Sequence, residues 1–277
     1  VFDPGPSITL EDMALYLSRT GLGTEQMNEV FDAVSCSSDN GYDQEYLFSD
    51  LISDPGAGVG GASVKSSDAY TRPLRELLRE SLSSEADNFL AALEKSDLQI
   101  YWPYSENWDG KSLPVITFDP MDGSEANMGY RLLEDGRVEE VLVTEEMAIN
   151  TPVWVVNRND DSSYTTLEML RKNDPDWGQG GSIIIGHHPS ERAPRTKSTS
   201  YKSLLLKDFT MHRHFDTWFA GASEFFCKIG AVEDFNASTE AELKLYSPTI
   251  TDFMITVRRN ELGQKKEFNA VLVSEWT

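Results

Sequence analysis

Basic residues are nearly missing from the start of this chain: between Val1 and Val64 the only one is Arg19. Over all 277 residues, 24 lysines and arginines stand against 46 acidic side chains, a formal net charge of -22. That field repels phosphate backbones, so nucleic acid is not expected as a partner. One basic strip (Arg192, Arg195, Lys197, Lys202, Lys207, Arg213) runs against the trend and is read as a solvated face balancing acid elsewhere. Cysteine is equally scarce. Cys36 and Cys227 are too few for a disulfide framework; Cys227 falls on the apolar side of its segment, and Cys36 lies in a polar stretch. No apolar run reaches the roughly 18 residues of a membrane-spanning helix. Catalytic signatures are missing too: there is no Gly-x-Ser-x-Gly elbow, no His-Glu-x-x-His and no Cys-x-x-Cys.

What is present suits a folded chain. Hydrophobic residues make up 39% and charged residues 25%, ordinary globular values. A chain of this length buries about 75% of its unfolded surface. It begins at Val1 rather than Met, which fits a processed form from which an export signal has been removed.

Thr9 with Asp12 three residues on reads as a capping box, and Leu10, Met13, Ala14 and Leu17 follow at helical spacing until Gly21. Thr24 is placed to cap a second helix through Met27, Val30, Phe31 and Val34. Residues 54–68, with four glycines and no periodicity, read as a linker. Leu74, Leu77, Leu78 and Leu82, then Phe89, Leu90 and Leu93, resume the helical pattern, with a break at Ser83 or Ser84.

After Asp97 the period changes from 3.6 to 2. Strands are expected at 98–101, 113–118, 129–133, 138–143, 152–156, 182–185, 241–245, 253–257 and 268–273, with Asp135-Gly136 as a type I′ hairpin turn. Residues 201–232 read as a central hairpin: Leu205, Phe209, Met211 and Phe215 alternate before the turn Asp216–Glu224, and Phe225, Cys227, Ile229 and Ala231 after it. The expected class is α+β: a helical region over residues 1–96, then an antiparallel β-sandwich region over 97–277, whole or split as 97–195 and 200–277.

The block from Leu98 to Trp108 (LQIYWPYSENW), with Leu113–Phe118 and Pro152–Asn157, resembles exported proteins of unknown function from Bacteroidetes and other Gram-negative bacteria. The turn Asp216–Glu224 is similar to one in the same group, many of whose members are lipoproteins. The resemblance covers residues 97–277. It implies an extracytoplasmic place, in the periplasm or at the cell surface on a lipid anchor, and no activity.

Four constellations could carry chemistry. Asn157, Asn159, Asp161, Ser163, Thr165 and Glu168 occupy positions 1, 3, 5, 7, 9 and 12 of a calcium loop, although Asn stands at position 1 and Ser162 replaces the glycine at position 6. Asp216 and Glu224, with carbonyls near Gly221, offer a second oxygen site for Ca2+. His212 and His214, two apart on an expected strand, would project from one face with Asp208, and His187-His188 could complete a zinc set. Lastly, Tyr101, Trp102, Tyr104 and Trp108 could stack on sugar rings. The function expected is an exported envelope protein that binds a ligand or partner without catalysis, with structural calcium. A metal-dependent or carboxylate-based hydrolase and a glycan-binding module are the alternatives.

Overall fold

The computed structural model describes residues 8–37, 43–53, 72–82, 86–160, 166–175, 202–230 and 250–276. Among them are seven helices and ten strands, an α+β protein. Two compact units divide the chain. The first takes Val1–Ser163, His214–Ser223 and Arg258–Asn260; the second takes Tyr164–Arg213, Glu224–Val257 and Glu261–Thr277.

In the first unit, α1 (Leu10–Arg19) begins as the capping pattern requires, with Thr9 Oγ1 accepting the Asp12 N–H at 3.0 Å, and the chain leaves it through Gly21 at φ +69°. Helix α2 (Thr24–Ser35) is capped by Gly23 rather than Thr24: the Gln26 side chain reaches back to accept the Gly23 N–H at 2.9 Å, leaving Thr24 as the first helical residue. A short strand β1 (Glu45–Leu47) leads into α3 (Phe48–Ile52), and α4 (Pro73–Leu82) and α5 (Ala86–Leu93) complete the helical layer. Strands β2 (Leu98–Tyr101), β3 (Val115–Phe118), β4 (Ala126–Leu132) and β5 (Val138–Thr144), helix α6 (Glu145–Asn150) and β6 (Val153–Arg158) follow.

The six strands form one sheet in the order β1-β2-β6-β3-β4-β5. It is mixed rather than antiparallel throughout, since β3 and β6 run parallel, Val115 opposite Val153 through Phe118 opposite Val156. Val115–Phe118, with Thr117 its one polar residue, and Val153–Val156 of β6 are mostly buried and apolar, as strands covered on both faces are. One face meets the helices: Leu17, Met27, Phe48, Leu78, Ile100, Trp102, Ile116 and Trp154 share a single core. The change of period near residue 96 therefore falls inside this unit, where helices and strands bury one another. The β4–β5 hairpin forms as expected, with a different turn: Gly136 N–H donates to Leu133 O and Leu133 N–H to Arg137 O, and of the loop residues only Gly136 has positive φ. That is a three-residue loop closed by a left-handed glycine, not type I′.

The second unit holds α7 (Leu167–Asn173) and strands β7 (Lys202–Thr210), β8 (Ser223–Gly230), β9 (Ile250–Val257) and β10 (Lys265–Trp276), apart from Ser223, which the first unit claims. The central hairpin is not what forms. Among the described residues β7 pairs antiparallel with β10, and β8 is hydrogen-bonded to β9, in two separate two-stranded sheets. The link between β7 and β8 is no tight turn: it carries a 3-10 helix, Trp218–Ala220, whose Trp218 and Phe219 are fully buried in the first unit. Phe215, expected on the apolar face, is 72% exposed beyond the end of β7. The strands expected at 182–185 and 241–245, the linker at 54–68, Ser83, Ser84, Arg192, Arg195 and Lys197 lie outside the described residues.

Candidate functional site

The sheet face turned away from the helices carries a row of polar side chains. Register places Glu45 opposite Tyr101 and Gln99 opposite Asn157, and Gln99 and Tyr101 are two apart on β2, so all four project from one face. They are buried: Glu45 is 8% exposed, Gln99 2%, Tyr101 0% and Asn157 1%. The Asn157 amide donates to Glu45 Oε1 at 3.2 Å and to the Phe219 carbonyl at 3.3 Å. Gln99 Nε2 reaches the Arg158 carbonyl at 3.4 Å. Three buried atoms, Gln99 Oε1, Asn157 Oδ1 and the Tyr101 hydroxyl, have no hydrogen-bond partner among the described residues. Loss of solvent drives the Tyr101 phenol well above its ordinary pKa against the opposing pull of Arg259, so it stays a neutral O–H.

Residues 214–223 and 258–260 lie over this face. Trp218 Nε1 donates to the Glu125 carbonyl at 3.0 Å and fixes the 3-10 turn. Gly221 sits at φ +118°, and a Cβ there would come within 2.3 Å of Glu45 Oε1. Only glycine allows both that backbone and that approach. The Arg259 guanidinium, its side chain 6% exposed, donates through Nη2 to the Asp216 carbonyl at 3.0 Å and through Nε to the Gly221 carbonyl at 3.4 Å, and stands 3.8 Å from Glu145. Arg258 pairs with the buried Asp43 at 2.8 Å. His214 Nδ1 lies 2.7 Å from Ser223 Oγ. Burial first, and then the Arg259 charge, hold the His214 pKa below its usual value, so the ring is neutral at pH 7. A serine and a neutral histidine at that distance form the first step of a nucleophile–base chain. Ser223, however, is 2% exposed, which leaves a substrate no approach to its hydroxyl.

The four aromatic candidates divide. Tyr101 and Trp102 are neighbours in sequence and so face opposite ways. Tyr101 belongs to the polar row; Trp102, 1% exposed, packs edge-on to Trp154 and Trp108 with centroids 5.8 and 5.4 Å away. Tyr104 and Trp108 are half-buried. With Trp102, Asn107, Ile149 and Asn150 they line a shallow, open depression. Tyr104 sits at φ +56°, a strained backbone for a side chain of its size, and its hydroxyl donates to Glu145 at 2.9 Å. Trp108 is held by Nε1 donating to the Ser112 carbonyl at 2.9 Å.

The metal candidates are placed otherwise than the spacing implied. Asn157 lies within β6 instead of opening a loop, and Asn159 N–H donates to the Asp97 carbonyl. Asp161, Ser163 and Thr165 fall outside the described residues, as do His187 and His188, and Glu168 lies in α7 with its side chain outside the description. The Asp216 and Gly221 carbonyls accept from Arg259 and the Phe219 carbonyl from Asn157, so a guanidinium and an amide take the places foreseen for calcium there; Asp216 is exposed and Glu224 half-buried on β8. Asp208 stands 3.8 Å from Lys265 Nζ. Strand β7 ends at Thr210, so His212 and His214 belong to a connection and the argument from strand alternation fails for them; His212 is exposed. Among the described residues no group of three or more His, Cys, Asp or Glu is arranged to hold a metal.

Glu45, Gln99 and Arg259 escaped the sequence reading. Each is an ordinary polar residue in its own segment, and their grouping follows from strand register over long separations. Alternation did carry one signal: Gln99, between Leu98 and Ile100, puts a polar group on a strand whose residues are all buried. Compared with protein-family models, curated proteins and solved structures, the chain finds no match.

Proposed function

We propose that this chain is an exported cell-envelope protein that binds a glycan without transforming it, and that the ligand sits in the depression around Tyr104 and Trp108. The observation that carries the reading is the lining itself. Aromatic rings at Tyr104 and Trp108, backed by the buried Trp102, and side-chain amides at Asn107 and Asn150 converge on one shallow surface. A pyranose ring has apolar C–H faces and a rim of hydroxyls, and that combination of ring and amide answers both. The net charge of -22 disfavours polyanionic glycans, so a neutral sugar is the class expected. The exported setting draws its support from the Leu98–Trp108, Leu113–Phe118 and Pro152–Asn157 blocks.

The metal-dependent hydrolase alternative rests on Asp208, His212 and His214, of which Asp208 stands 3.8 Å from Lys265 Nζ and His212 is exposed, and the burial of Ser223 disfavours a serine nucleophile beside His214. For the second unit we propose an antiparallel sandwich built from its two ribbons. Phe209 on β7 stacks on Phe225 on β8 with centroids 4.6 Å apart, as side chains from two facing sheets do.

A glycan array with the purified chain tests the binding reading. Binding to a neutral glycan should fall at least about tenfold in Tyr104→Ala, the loss expected when a ring worth roughly 1.5 kcal/mol is removed. It should fall similarly in Asn150→Arg, which crowds the depression from an exposed position and leaves the core alone. Binding unchanged in both variants, or turnover of a glycan or peptide substrate, overturns the reading.

A further inference from the structure

We propose that β5, at the end of the six-stranded sheet, takes up an extended basic segment of a partner protein as a seventh strand, with a lysine or arginine opposite Glu140 and an apolar residue opposite Leu142. The starting point is which backbone groups β5 has left over. Among the described residues its one sheet neighbour is β4, and the pairing is unbroken from Ala126 opposite Thr144 to Leu132 opposite Val138. Leu133 N–H donates to the Arg137 carbonyl at 2.8 Å, which makes these two a hydrogen-bonded pair. In an antiparallel ladder such pairs alternate with pairs whose N–H and C=O groups point away from each other. Glu139, Val141 and Val143 therefore spend their backbone groups on β4, while Val138, Glu140 and Leu142 aim theirs outward.

Edge strands are ordinarily guarded by shortness, proline, a bulge or lysine. Strand β5 has none of these: it is seven residues long, regular in register, and reads VEEVLVT. Nor is its outer face simply a polar one. Leu142, 60% exposed, stands opposite Met128, 40% exposed, and the β3–β4 register carries that row on to the half-buried Phe118. An apolar row thus crosses three strands and stops at the open edge. A further strand laid against β5 would continue both the row and the ladder, with main-chain hydrogen bonds giving affinity and alternate side chains giving specificity.

Charge names the occupant. Glu139, on the opposite face, is met by Arg131 at 3.7 Å, whereas Glu140, exposed and on the Leu142 face, has no basic partner among the described residues. Glu145 and Glu146 follow directly after the strand. A segment with a cation opposite Glu140 and an apolar residue two positions along answers both features, because side chains two apart in a strand share a face. A second copy of this chain is disfavoured, since two chains of net charge -22 repel one another.

The test uses the full chain and a synthetic nine-residue peptide in which valine and threonine alternate and lysine replaces the central valine. Amide hydrogen exchange is read residue by residue by NMR. The peptide should slow exchange at the Glu140 and Leu142 N–H groups at least about fivefold and leave those of Val141 and Val143, already held by β4, nearly unchanged. The same peptide with a central glutamate should bind about tenfold more weakly, and Glu140→Lys should reverse that preference. Leu142→Pro removes an outward N–H that β4 does not use, so the chain should keep its fold and lose the peptide. Should that variant unfold, the charge reversal decides alone. Glu140 and Leu142 amides already protected in the free, dilute chain would show the edge covered by this chain itself or by a second copy, and would overturn the proposal. So would exchange that the lysine peptide does not slow, or equal binding of the lysine and glutamate peptides. None of these outcomes bears on the glycan depression, which lies at other residues.

Discussion

The two faces of the six-stranded sheet each bury an apolar cluster and differ in how many polar side chains they bury with it. Toward the helices, Ile100, Trp102, Ile116, Trp154 and Val156 meet Leu17, Val30, Phe48 and Leu78 in an apolar core. On the other side, residues from the same strands, often the very next in sequence, bury Glu45, Gln99, Tyr101, Thr117 and Asn157 beside an apolar cluster of Val115, Val153 and Val155 under Trp218 and Phe219. Apolar packing tolerates rearrangement at moderate cost, whereas a buried polar row demands a partner for each atom. Thr117 finds one in the Met128 carbonyl at 2.8 Å; Gln99, Tyr101 and Asn157 keep atoms without one among the described residues. The helical face accounts for why the first unit holds together. The other face is where its buried polar groups are concentrated.

The comparison is broken most directly at Trp154, fully buried and edge-on to Trp102. Trp154→Ala should cost about 3–5 kcal/mol, the range for deleting a large core ring. Urea unfolding followed by circular dichroism would measure it. A cost under about 1 kcal/mol would mean that the helices do not depend on this core.

The second test sharpens the comparison, because the helical side has a buried carboxylate of its own. Glu29 on α2 accepts the Leu74 N–H at 2.7 Å and so caps α4 from outside, while Gln26 Nε2 donates to the Pro73 carbonyl at 3.2 Å. Burial raises its pKa from 4.5 to about 7, against the lowering effects of that hydrogen bond and of Arg72; Glu76 adds a small upward push. A carboxyl with a raised native pKa binds more protons folded than unfolded. Stability therefore falls as pH rises from about 4.5 to 7, by roughly 2–3 kcal/mol over that window. In Glu29→Gln this share of the pH dependence should vanish, so the variant gains on wild type as pH climbs and is the more stable of the two at about pH 8. A constant gap between the two chains from about pH 5 to 8 would show that Glu29 carries no such strain.

Much of this division was legible in the sequence, and the rest was hidden for a physical reason. Periodicity found α1 and α2 with their apolar faces, and the strands at 98–101, 138–143 and 152–156 to within a residue or two, because burial on one face imprints locally. It could not find that β3 lies parallel to β6, or that β7 joins β10, since pairing depends on segments far apart. The same limit governed the site. Asn157 was singled out for its place in a loop register and proves central for another reason: the strand puts it beside Glu45, 112 positions away. The aromatic block was half-readable, as adjacency alone sends Tyr101 and Trp102 to opposite faces.

The smallest expected effect is the most telling about the polar face. Gly221→Ala adds a single methyl group, at a backbone φ of +118° and within 2.3 Å of Glu45 Oε1. Strain at a left-handed position costs about 1–3 kcal/mol, and the carboxylate must also shift. On an apolar face such a shift would be absorbed by neighbouring methyl groups. Here it breaks the Glu45–Asn157 hydrogen bond and tilts the Gly221 carbonyl that Arg259 Nε holds at 3.4 Å. Glu45→Gln in the same background should then recover little, because the methyl group opposes any side chain of that length, whereas Glu45→Ala should recover most of the difference between Gly221→Ala and wild type beyond the backbone strain. A double-mutant cycle on Gly221 and Glu45, read by urea unfolding, measures that coupling. Additive costs would place Glu45 away from Gly221 in solution and leave the polar row without its cover.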